Sequence, residues 1–521
     1  MMTQKATIFV LVFTFLMATS ILWSQTSPSK VAPTDDNYAI DYNNGPCIDR
    51  APNGQVICIW ATGANYDNSV FWSSYDSDFG FWNTPQVLGT GTPDRTTPAL
   101  IADDNNYFHA TWSDDFKLMY AQFDGSNWST PVQVYNDTIN ANESSILVGS
   151  DGKIWVAWST YRQDDNINEW LLISNSSDNG ATWSNPDTLA KDMHPGIVSS
   201  YFCFPYLAAG LNGKIGVAYR EKDTNISALY QLYFHENDGA GWSDPELITT
   251  FSDSVDCYQA SIAYDSKGRL HCAFYTDEVD WPSADMGQIY YTWKDEGGSW
   301  SDPVAISADS TGKADYPAIA IGPNNALYVV YLQNSYTSAE ALLQVFAVTS
   351  DNRGLSWSDT VKISDGTVNM PLRGPSIGKH PRPAGIGGTS FEGGADLLWV
   401  EPDDAEVDGY SIHYGRIPWV EVTGVKNDNN QNILSEYHLS QNYPNPFNPT
   451  TTIEFQIKTA GKVQLKVYNM LGKEVASLLD IKMAPGFHQV NFDASSLASG
   501  IYFYKLMASE FVATKKMIIM K

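Results

Sequence analysis

The chain has 521 residues, which is long enough for at least two domains. It carries 31 basic and 59 acidic residues and a net charge of −28, so nucleic acid and anionic membrane surfaces are not expected partners. Aromatic residues make up 13% of the chain and charged residues only 17%. This composition is typical of a strand-rich exported protein that recognises carbohydrates or proteins.

The first 25 residues have the pattern of a signal peptide. Lys5 supplies a basic start, residues 6–23 form an apolar core, and polar residues 24–26 follow as a cleavage zone. The alternative is a membrane anchor, but no later apolar run reaches spanning length, so no transmembrane segment is expected after cleavage. The chain is therefore predicted to be exported.

The five cysteines leave at least one thiol outside any intrachain disulfide. Cys47 and Cys58 flank a turn at residues 51–54, and a hairpin there is expected to place them opposite each other. Two alternatives follow, either a disulfide formed in an oxidising compartment or two small buried residues.

A turn motif recurs along the chain at spacings of about 46–59 residues, which indicates an array or a propeller. In residues 176–183 it reads Ser-x-Asp-x-Gly-x-Thr-Trp. In such a turn Asp and Asn bond to their own backbone, Gly accepts a positive φ, and Trp supplies an apolar anchor. The main residues of its two full copies are Asp178, Gly180, Trp183, Asn352, Gly354 and Trp357. Degraded copies end at Trp82, Trp128, Trp242 and Trp300.

Each repeat contains four short apolar or alternating segments separated by turns rich in Asn, Asp and Gly, as in a propeller blade. Second strands occur seven times and the Trp-containing turns six times. We therefore predict an all-β fold with a seven-bladed β-propeller at residues 35–424, and six blades as the alternative. The last blade is completed either by residues 419–422 or by residues 38–41 from the N-terminus.

The recurring tryptophans are predicted to be core residues. A four-stranded blade cannot cover both of its own faces, so each junction between blades needs a large apolar anchor. Burial of a side chain of this size is worth about 4–6 kcal/mol as an upper bound.

The Ser-x-Asp-x-Gly-x-Thr-Trp turn resembles the Asp box, or bacterial neuraminidase repeat, of the sialidase-like propeller superfamily. The resemblance covers residues 45–422 and implies a propeller of sialidase-like type. In that family the boxes lie on the face opposite the active site, which implies structural roles for Asp178 and Asn352.

The composition changes at residues 425–440, which form a polar linker, and residues 441–521 contain five strand-like runs. These runs predict a small β-sandwich of immunoglobulin-like type. Its distinctive residues include Tyr443, Pro444, Asn445, Pro446, Gly472, Gly500, Lys515 and Lys516.

This last region resembles the type A C-terminal sorting domain of the type IX secretion system, with a FlgD-like immunoglobulin module as the alternative. The resemblance implies that the type IX machinery is a partner. It also implies a protein that is secreted or attached to the outer surface of a Gram-negative-type bacterium.

Unusual side chains concentrate in the connections that share one face of the predicted propeller. The sialidase resemblance implies three arginines for a substrate carboxylate, a Tyr nucleophile activated by Glu, and an Asp acid. Arginine suits this task because its planar fork donates two hydrogen bonds to a carboxylate. The catalytic candidates are Arg162, Arg220, Arg373, Glu221, Tyr316 and Asp115, with Arg95 or Arg382 as substitute arginines. The binding candidates are Tyr161, Trp281 and Asp277.

Two functions compete for this face. In one, the propeller binds a glycan or a surface protein; in the other, it is an exo-sialidase-like hydrolase of carboxylated sugars. The family's Phe-Arg-Ile-Pro motif lies near the start of the propeller, whereas residues 415–418 read Gly-Arg-Ile-Pro at its far end. Arg416 is therefore not a candidate, and binding is favoured.

The acidic residues of the connections have a simpler alternative role as a solvated rim. No metal or other cofactor is predicted. The aspartate pairs at residues 103–104, 164–165 and 403–404 are candidates to donate oxygens to Ca²⁺. Their pattern is not that of a calcium-binding loop, because no spaced loop with a closing Glu is present.

Removal of residues 442–521 tests the predicted sorting tail. In a host with the type IX system, the full chain is expected outside the cell and the truncated chain in the periplasm. Immunoblots of medium, surface and periplasmic fractions measure the distribution. Normal secretion of the truncated chain contradicts the prediction.

Overall fold

The chain divides by its contacts into two compact units, Met1–Thr423 and Gly424–Lys521. No α-helix appears among the described residues, and they contain no helix long and apolar enough to span a membrane. The residues that the computed structural model describes are 26–34, 39–40, 45–63, 68–76, 81–91, 98–115, 117–135, 140–161, 169–191, 203–222, 230–249, 255–278, 287–307, 314–322, 325–335, 342–364, 375–379, 382–383, 393–402, 409–418, 438–439, 442, 447–457, 461–470, 472–483, 486–508 and 511–520.

The first unit consists of antiparallel sheets, which we call blades and number in chain order. A strand that precedes them, β1 (Thr26–Thr34), belongs to the last blade. Blade 1 contains β2 (Ile48–Arg50), β3 (Val56–Ala61), β4 (Ser69–Asp76), β5 (Phe81–Trp82) and β6 (Gln86–Thr90). Blade 2 contains β7 (Ala99–Ala102), β8 (Phe108–Asp114), β9 (Lys117–Phe123) and β10 (Val132–Gln133). Blade 3 contains β11 (Asn140–Val148), β12 (Ile154–Tyr161), β13 (Glu169–Ser176) and β14 (Asp187–Ala190).

The remaining blades repeat this arrangement. Blade 4 contains β15 (Tyr206–Ala209), β16 (Ile215–Lys222), β17 (Tyr230–Asn237) and β18 (Glu246–Leu247). Blade 5 contains β19 (Val255–Tyr264), β20 (Leu270–Glu278), β21 (Ile289–Lys294) and β22 (Val304–Ala305). Blade 6 contains β23 (Ala314–Ile321), β24 (Leu327–Ser335), β25 (Leu342–Ser350) and β26 (Val361–Lys362). Blade 7 contains β27 (Ser376–Ile377), β28 (Arg382–Pro383), β29 (Gly393–Pro402), β30 (Tyr410–Pro418) and β1.

The first strands of consecutive blades contact each other around a closed circuit. β2 contacts β7, and the series continues through β11, β15, β19, β23 and β27, which returns to β2. These strands therefore line the axis, and the predicted all-β propeller is confirmed. The seven sheets of the described residues agree in number with the seven second strands in the sequence.

The two ends of the propeller differ in the connections that they carry. Because the strands alternate in direction, the turns between strands one and two and between strands three and four share one end, which we call the box end. The connections between strands two and three and between blades share the other, which we call the loop end.

The N-terminus completes blade 7, but not with the predicted segment. β1 pairs antiparallel with β30, from Thr34 opposite Tyr410 to Thr26 opposite Arg416. The prediction that residues 38–41 close the ring is therefore wrong, and the propeller includes residues before its predicted start at residue 35. The alternative closing segment, residues 419–422, lies outside the described residues.

A buried ion pair joins the last blade to the first. Arg50 on β2 donates from Nε and Nη2 to the two carboxylate oxygens of Asp396 on β29, both at 2.7 Å. Both side chains are 2% exposed. Tyr414 donates its hydroxyl to Asp396 Oδ1 at 2.8 Å, and Arg416 Nε lies 3.8 Å from the same oxygen. Arg416 thus belongs to the ring closure, in agreement with its exclusion from the candidate site.

Side chains on the first strands also satisfy the backbone of the next blade. Each accepts a hydrogen bond from an N–H of the following first strand, which otherwise presents an unpaired sheet edge. The pairs are Asp49 with the N–H of Ala102, Ser145 with Leu207, Ser261 with Ile319, and Ser376 with Cys47, at 2.7–3.1 Å.

Each recurring tryptophan packs against an aromatic ring of the preceding blade, at the junction that the sequence predicted. Only Trp82 is buried and the other five are half-buried, so the prediction of core residues is wrong for those five. Ring centroids are 4.9–6.0 Å apart and interplanar angles are 70–87°, a T-shaped geometry. None of the six indole N–H groups has a hydrogen-bond partner among the described residues, and a perpendicular ring is the arrangement in which an N–H approaches π electrons. The pairs are Trp82 with Tyr414, Trp128 with Trp72, Trp183 with Tyr120, Trp242 with Trp155, Trp300 with Phe234, and Trp357 with Tyr291.

The cysteines of the first unit are free thiols, and all five are buried. The register places Ile48, rather than Cys47, opposite Cys58, and Cys47 Sγ donates to the carbonyl of Pro98 at 3.1 Å. Burial raises the pKa of the Cys58 thiol. The alternative of two small buried residues is therefore the correct one.

The second unit is the predicted β-sandwich. One sheet has the order β31-β32-β35 and the other β34-β33-β36-β37, and they share one apolar core. The sequence missed β31 and β34, and most side chains of β34 are exposed or half-buried, so this edge strand lacks a clear apolar pattern. The strands are β31 (His438–Leu439), β32 (Thr450–Ile457), β33 (Gly461–Asn469), β34 (Glu474–Met483), β35 (Gly486–Asp493), β36 (Gly500–Ala508) and β37 (Phe511–Ile519).

Trp183→Ala tests the anchors between blades. We expect a loss of about 3 kcal/mol in the free energy of unfolding, because the indole leaves a cavity against Tyr120. The control Asp114→Ala removes only a hydrogen bond from Thr90 near the surface and is expected to cost well under about 1 kcal/mol. Denaturant melts of both variants measure the difference. Equal losses contradict the junction role.

Candidate functional site

The first full box is a self-contained turn at the box end. Asp178 accepts hydrogen bonds from the hydroxyl of Ser176 at 2.7 Å and from the backbone N–H and hydroxyl of Thr182 at 2.8 and 2.5 Å. The bonds from Thr182, then that from Ser176, lower the pKa of Asp178 to about 2. Gly180 has φ 81°, and a Cβ there lies 2.0 Å from the Tyr120 ring, so only glycine fits.

The second full box repeats this geometry with an amide. Asn352 accepts from Ser350 Oγ and from the Ser356 N–H, both at 2.9 Å. Gly354 has φ 84°, and a Cβ there lies 2.0 Å from the Tyr291 hydroxyl. Every polar group named here is used to hold the turn or its contact with the preceding blade. The box end therefore has a structural role, as the sequence predicted.

Buried hydrogen-bond chains tie both full boxes to the preceding blade. In blade 5, His271 Nδ1 lies 2.7 Å from the Tyr291 hydroxyl, which donates to the carbonyl of Arg353 in the box. His271 Nε2 lies 3.3 Å from Asp265, and Arg353 Nε donates to the same carboxylate oxygen. Hydrogen bonds from His271 and Arg353 hold the pKa of Asp265 well below its usual value despite burial.

At the loop end, Arg220 on β16 is enclosed by aromatic rings and is 4% exposed. Its Cζ lies 4.7 Å from the ring centroid of Phe204, 4.4 Å from that of Tyr230, and 4.7 Å from that of Tyr258 on the next blade. Cation–π contacts in such desolvated sites are worth about 2 kcal/mol or more.

Further tyrosines and a carboxylate extend this site across blades 5 and 6. Tyr258 stacks on Tyr275 at 5.2 Å, and Tyr275 lies 5.6 Å from Tyr316. Asp256 accepts from the N–H of Tyr230 at 2.7 Å and from the hydroxyl of Tyr258 at 3.3 Å. Burial nevertheless raises the pKa of Asp256. The residues that we call the Arg220 cluster are Phe204, Arg220, Tyr230, Asp256, Tyr258, Tyr275 and Tyr316.

The backbone beside the Arg220 cluster is strained in four consecutive blades. A non-glycine residue with positive φ lies within or just before the first strand in blades 3 to 6, and register shifts mark bulges beside it in β11, β19 and β23. Bulky residues in this conformation cost about 1–3 kcal/mol each and concentrate at functional sites. These residues are Glu143 (φ 44°), Phe204 (φ 48°), Gln259 (φ 45°) and Tyr316 (φ 53°).

Two of these residues bring buried polar atoms to the site. Glu143 is 2% exposed, and its Oε2 accepts from the N–H of Phe204 at 3.3 Å. Gln259 is also 2% exposed, and its Oε1 has no hydrogen-bond partner among the described residues. A buried carbonyl oxygen without a partner is costly in a structural core.

Of the predicted catalytic residues, the structure brings Arg220 and Tyr316 into the Arg220 cluster. Glu221 follows Arg220 on the same strand and therefore faces the other side of blade 4. On that side, burial and then the charge of Glu221 raise the pKa of Tyr219. Asp115 is 81% exposed on the β8–β9 turn, with its carboxylate 3.8 Å from Lys117 Nζ. Glu221 and Asp115 are thus not members of the Arg220 cluster, and their catalytic roles stay predictions.

Several predicted residues cannot be placed. Arg162, Arg373, Trp281 and Arg95 lie outside the described residues. Tyr161, Asp277 and Arg382 lie on described strands, but their side chains do not belong to the described part of the structure. The described residues contain no group of three His, Cys, Asp or Glu side chains that could hold a metal, and the Ca²⁺ candidates stay predictions.

The residues of the tail that carry the sorting resemblance are partly described. Gly472 has φ 77° in the turn after β33, where its N–H donates to the Asn469 carbonyl at 3.0 Å. Gly500 begins β36, and Lys515 and Lys516 lie on β37, the last strand of the sheet. Residues 443–446 lie outside the described residues.

Residues 441–520 match the family model of the secretion system C-terminal sorting domain. The predicted sorting tail is therefore confirmed, and the protein is secreted or located at the cell surface. No curated protein matches the chain.

Several solved structures are similar to this chain. A PL25 polysaccharide lyase, an ulvan lyase bound to -[GlcA(1-4)Rha3S]-, has 14% identity and a TM-score of 0.53, over 74% of this chain and 95% of that one. A Dyadobacter fermentans protein of unknown function has 13% identity and a TM-score of 0.44, over 75% and 99%. A Penicillium chrysogenum α-L-arabinanase with arabinobiose has 13% identity and a TM-score of 0.43, over 76% and 98%. The chain is thus an exported protein with a β-propeller.

Arg220→Lys tests the Arg220 cluster as a stabilising unit. We expect a loss of about 1–2 kcal/mol in the free energy of unfolding, because an ammonium cannot cover three rings as a planar guanidinium does. The control Lys222→Ala removes a half-buried cation 5.8 Å from the Tyr230 centroid and is expected to cost less than about 0.5 kcal/mol. Chemical denaturation measures both, and an unchanged Arg220→Lys midpoint contradicts the prediction.

Proposed function

We propose that this exported propeller binds a glycan at the loop end of blades 3 to 6, without turnover. The observation that carries the proposal is the Arg220 cluster beside four strained residues, three of which lie at bulges. Tyr258 and Tyr316 are only half-buried, so they have ring area that a sugar can cover. Aromatic rings with a few fixed polar groups are the usual composition of a small-molecule site.

Two further observations support a glycan rather than a surface protein as the ligand. The similar ulvan lyase is bound to a saccharide, and a secreted or surface-attached protein meets polysaccharides outside the cell. The fold alone does not carry this function to the chain, so the argument depends on the residues of the Arg220 cluster.

The hydrolase alternative requires three arginines that converge on one carboxylate. Arg162 and Arg373 lie outside the described residues, and Arg220 is enclosed by three rings rather than presented to a ligand. Arg220 therefore supports the tyrosines from beneath, and we propose a binding role for the site instead of catalysis.

Tyr258→Ala and Tyr316→Ala test the proposal on the full chain. Binding to a responsive polysaccharide from a glycan panel is expected to weaken about tenfold or more, since a lost stacking contact of about 1.4 kcal/mol has that effect. The matched control is Tyr107→Ala, a half-buried tyrosine in the β7–β8 turn at the box end, which should bind normally. Calorimetry measures affinity, and thermal melts verify folding.

Two results contradict the proposal. One is that Tyr107→Ala weakens polysaccharide binding as much as Tyr258→Ala and Tyr316→Ala do. The other is turnover of a fluorogenic sialoside that Arg220→Ala abolishes while folding stays intact, which would establish the hydrolase instead.

A further inference from the structure

The charges around the Arg220 cluster narrow the class of glycan. Asp256 lies within the cluster, and Glu143 accepts a hydrogen bond from Phe204, whose ring covers Arg220. Asp315 directly precedes Tyr316. The pKa of Tyr275 is raised mainly by burial and by Tyr316, and Asp315 raises it further. Glu143 is 2% exposed, so the half-buried Asp256 and Asp315 are the carboxylates that a ligand at the rings can approach.

The two cations of the same region, Arg220 and Lys222, differ in how accessible they are to a ligand. The guanidinium of Arg220 is 4% exposed and has aromatic rings over it. Lys222 is half-buried, with its Nζ 5.8 Å from the Tyr230 centroid. Among the described residues at the rings, two half-buried carboxylates thus stand against one half-buried cation, which is unfavourable for a carboxylated or sulfated sugar.

The charge of the whole chain acts in the same direction. Its net charge of −28 repels a polyanionic polysaccharide at long range and slows the encounter. An uncharged sugar is not repelled by this field. Its C–H faces and hydroxyls match aromatic rings flanked by carboxylates.

Building on the proposed function, we propose that the ligand is an uncharged glycan that stacks on Tyr258 and Tyr316, and that Asp256 and Asp315 disfavour acidic sugars at the site. Arg220 is a positioning residue in this account, because it holds the rings and does not touch the ligand. The specificity is therefore opposite to that of a site built to hold a sugar carboxylate.

Matched polysaccharide pairs test this selection on the full chain. Each pair consists of a native neutral polysaccharide and the same polymer after oxidation of its primary alcohols to carboxylates. We expect the native form to bind at least about tenfold more tightly than its oxidised partner. Its affinity should change less than about twofold between about 50 and 500 mM NaCl, because no charge on the ligand is screened.

Asp256→Asn keeps the shape of the side chain and removes its charge. It should improve binding of the oxidised form relative to the native form, so that the ratio of their dissociation constants falls by about three- to tenfold. Thermal melts establish that the variant is folded. A melt-verified variant that leaves the ratio between the two forms unchanged contradicts the role of Asp256.

The outcomes separate this inference from the proposed function. Tighter binding of the oxidised forms, with an affinity that falls as salt rises, overturns the uncharged ligand but leaves glycan binding intact. Failure of every native and oxidised form to bind removes the proposed function and this inference with it.

Discussion

The propeller depends on the closure of its ring, and the Arg50–Asp396 pair is the interaction that joins the first blade to the last. The pair is bidentate and 2% exposed on both sides, and Tyr414 adds a further hydrogen bond. Its assembly removes two charges from water, so its net gain over an apolar contact is small. Loss of one partner, however, leaves a buried charge, which costs about 3–5 kcal/mol. The two residues meet only when β29 and β2 are adjacent. The pair therefore acts mainly by destabilising open or misregistered rings, in which one of the charges is buried without its partner.

The two ends of this closed ring have opposite character. At the box end, Asp178 and Asn352 use their polar atoms within the turn, and their glycines have no room for a Cβ. At the loop end, the backbone is strained at Gln259, and a buried oxygen of its side chain lacks a partner among the described residues. Strain and unsatisfied polar groups persist in folded proteins where function requires them. The contrast supports the proposed site at the loop end on physical grounds that are independent of any relative.

The sequence predicted those features that recur or that depend on side-chain size. Trp183 and its counterparts indicated the blades because a large apolar residue at a fixed spacing has few other uses. Closure by β1 could not be predicted, since Thr26–Thr34 is polar, contains two prolines and lies at a sheet edge, where prolines are tolerated. The site was predicted only in part. Arg220 and Tyr316 were found by residue type, but the opposite facing of Glu221 and the left-handed bulge at Gln259 follow from register, which depends on neighbouring strands.

The strained bulges need support from elsewhere in the ring, and Lys379 provides it across the axis. This residue follows β27 in blade 7, and its Nζ donates to the carbonyls of Leu207 at 2.9 Å and Ile262 at 3.1 Å, on the first strands of blades 4 and 5. Burial lowers the pKa of Lys379 to about 7. The amine also lies 4.0 Å from the ring centroid of Tyr206. Leu207 and Ile262 each lie three residues after a left-handed residue, Phe204 and Gln259 respectively. A single side chain thus fixes two first strands beside their left-handed residues. Because Lys379 belongs to blade 7, the geometry of the loop end depends on the closure of the ring.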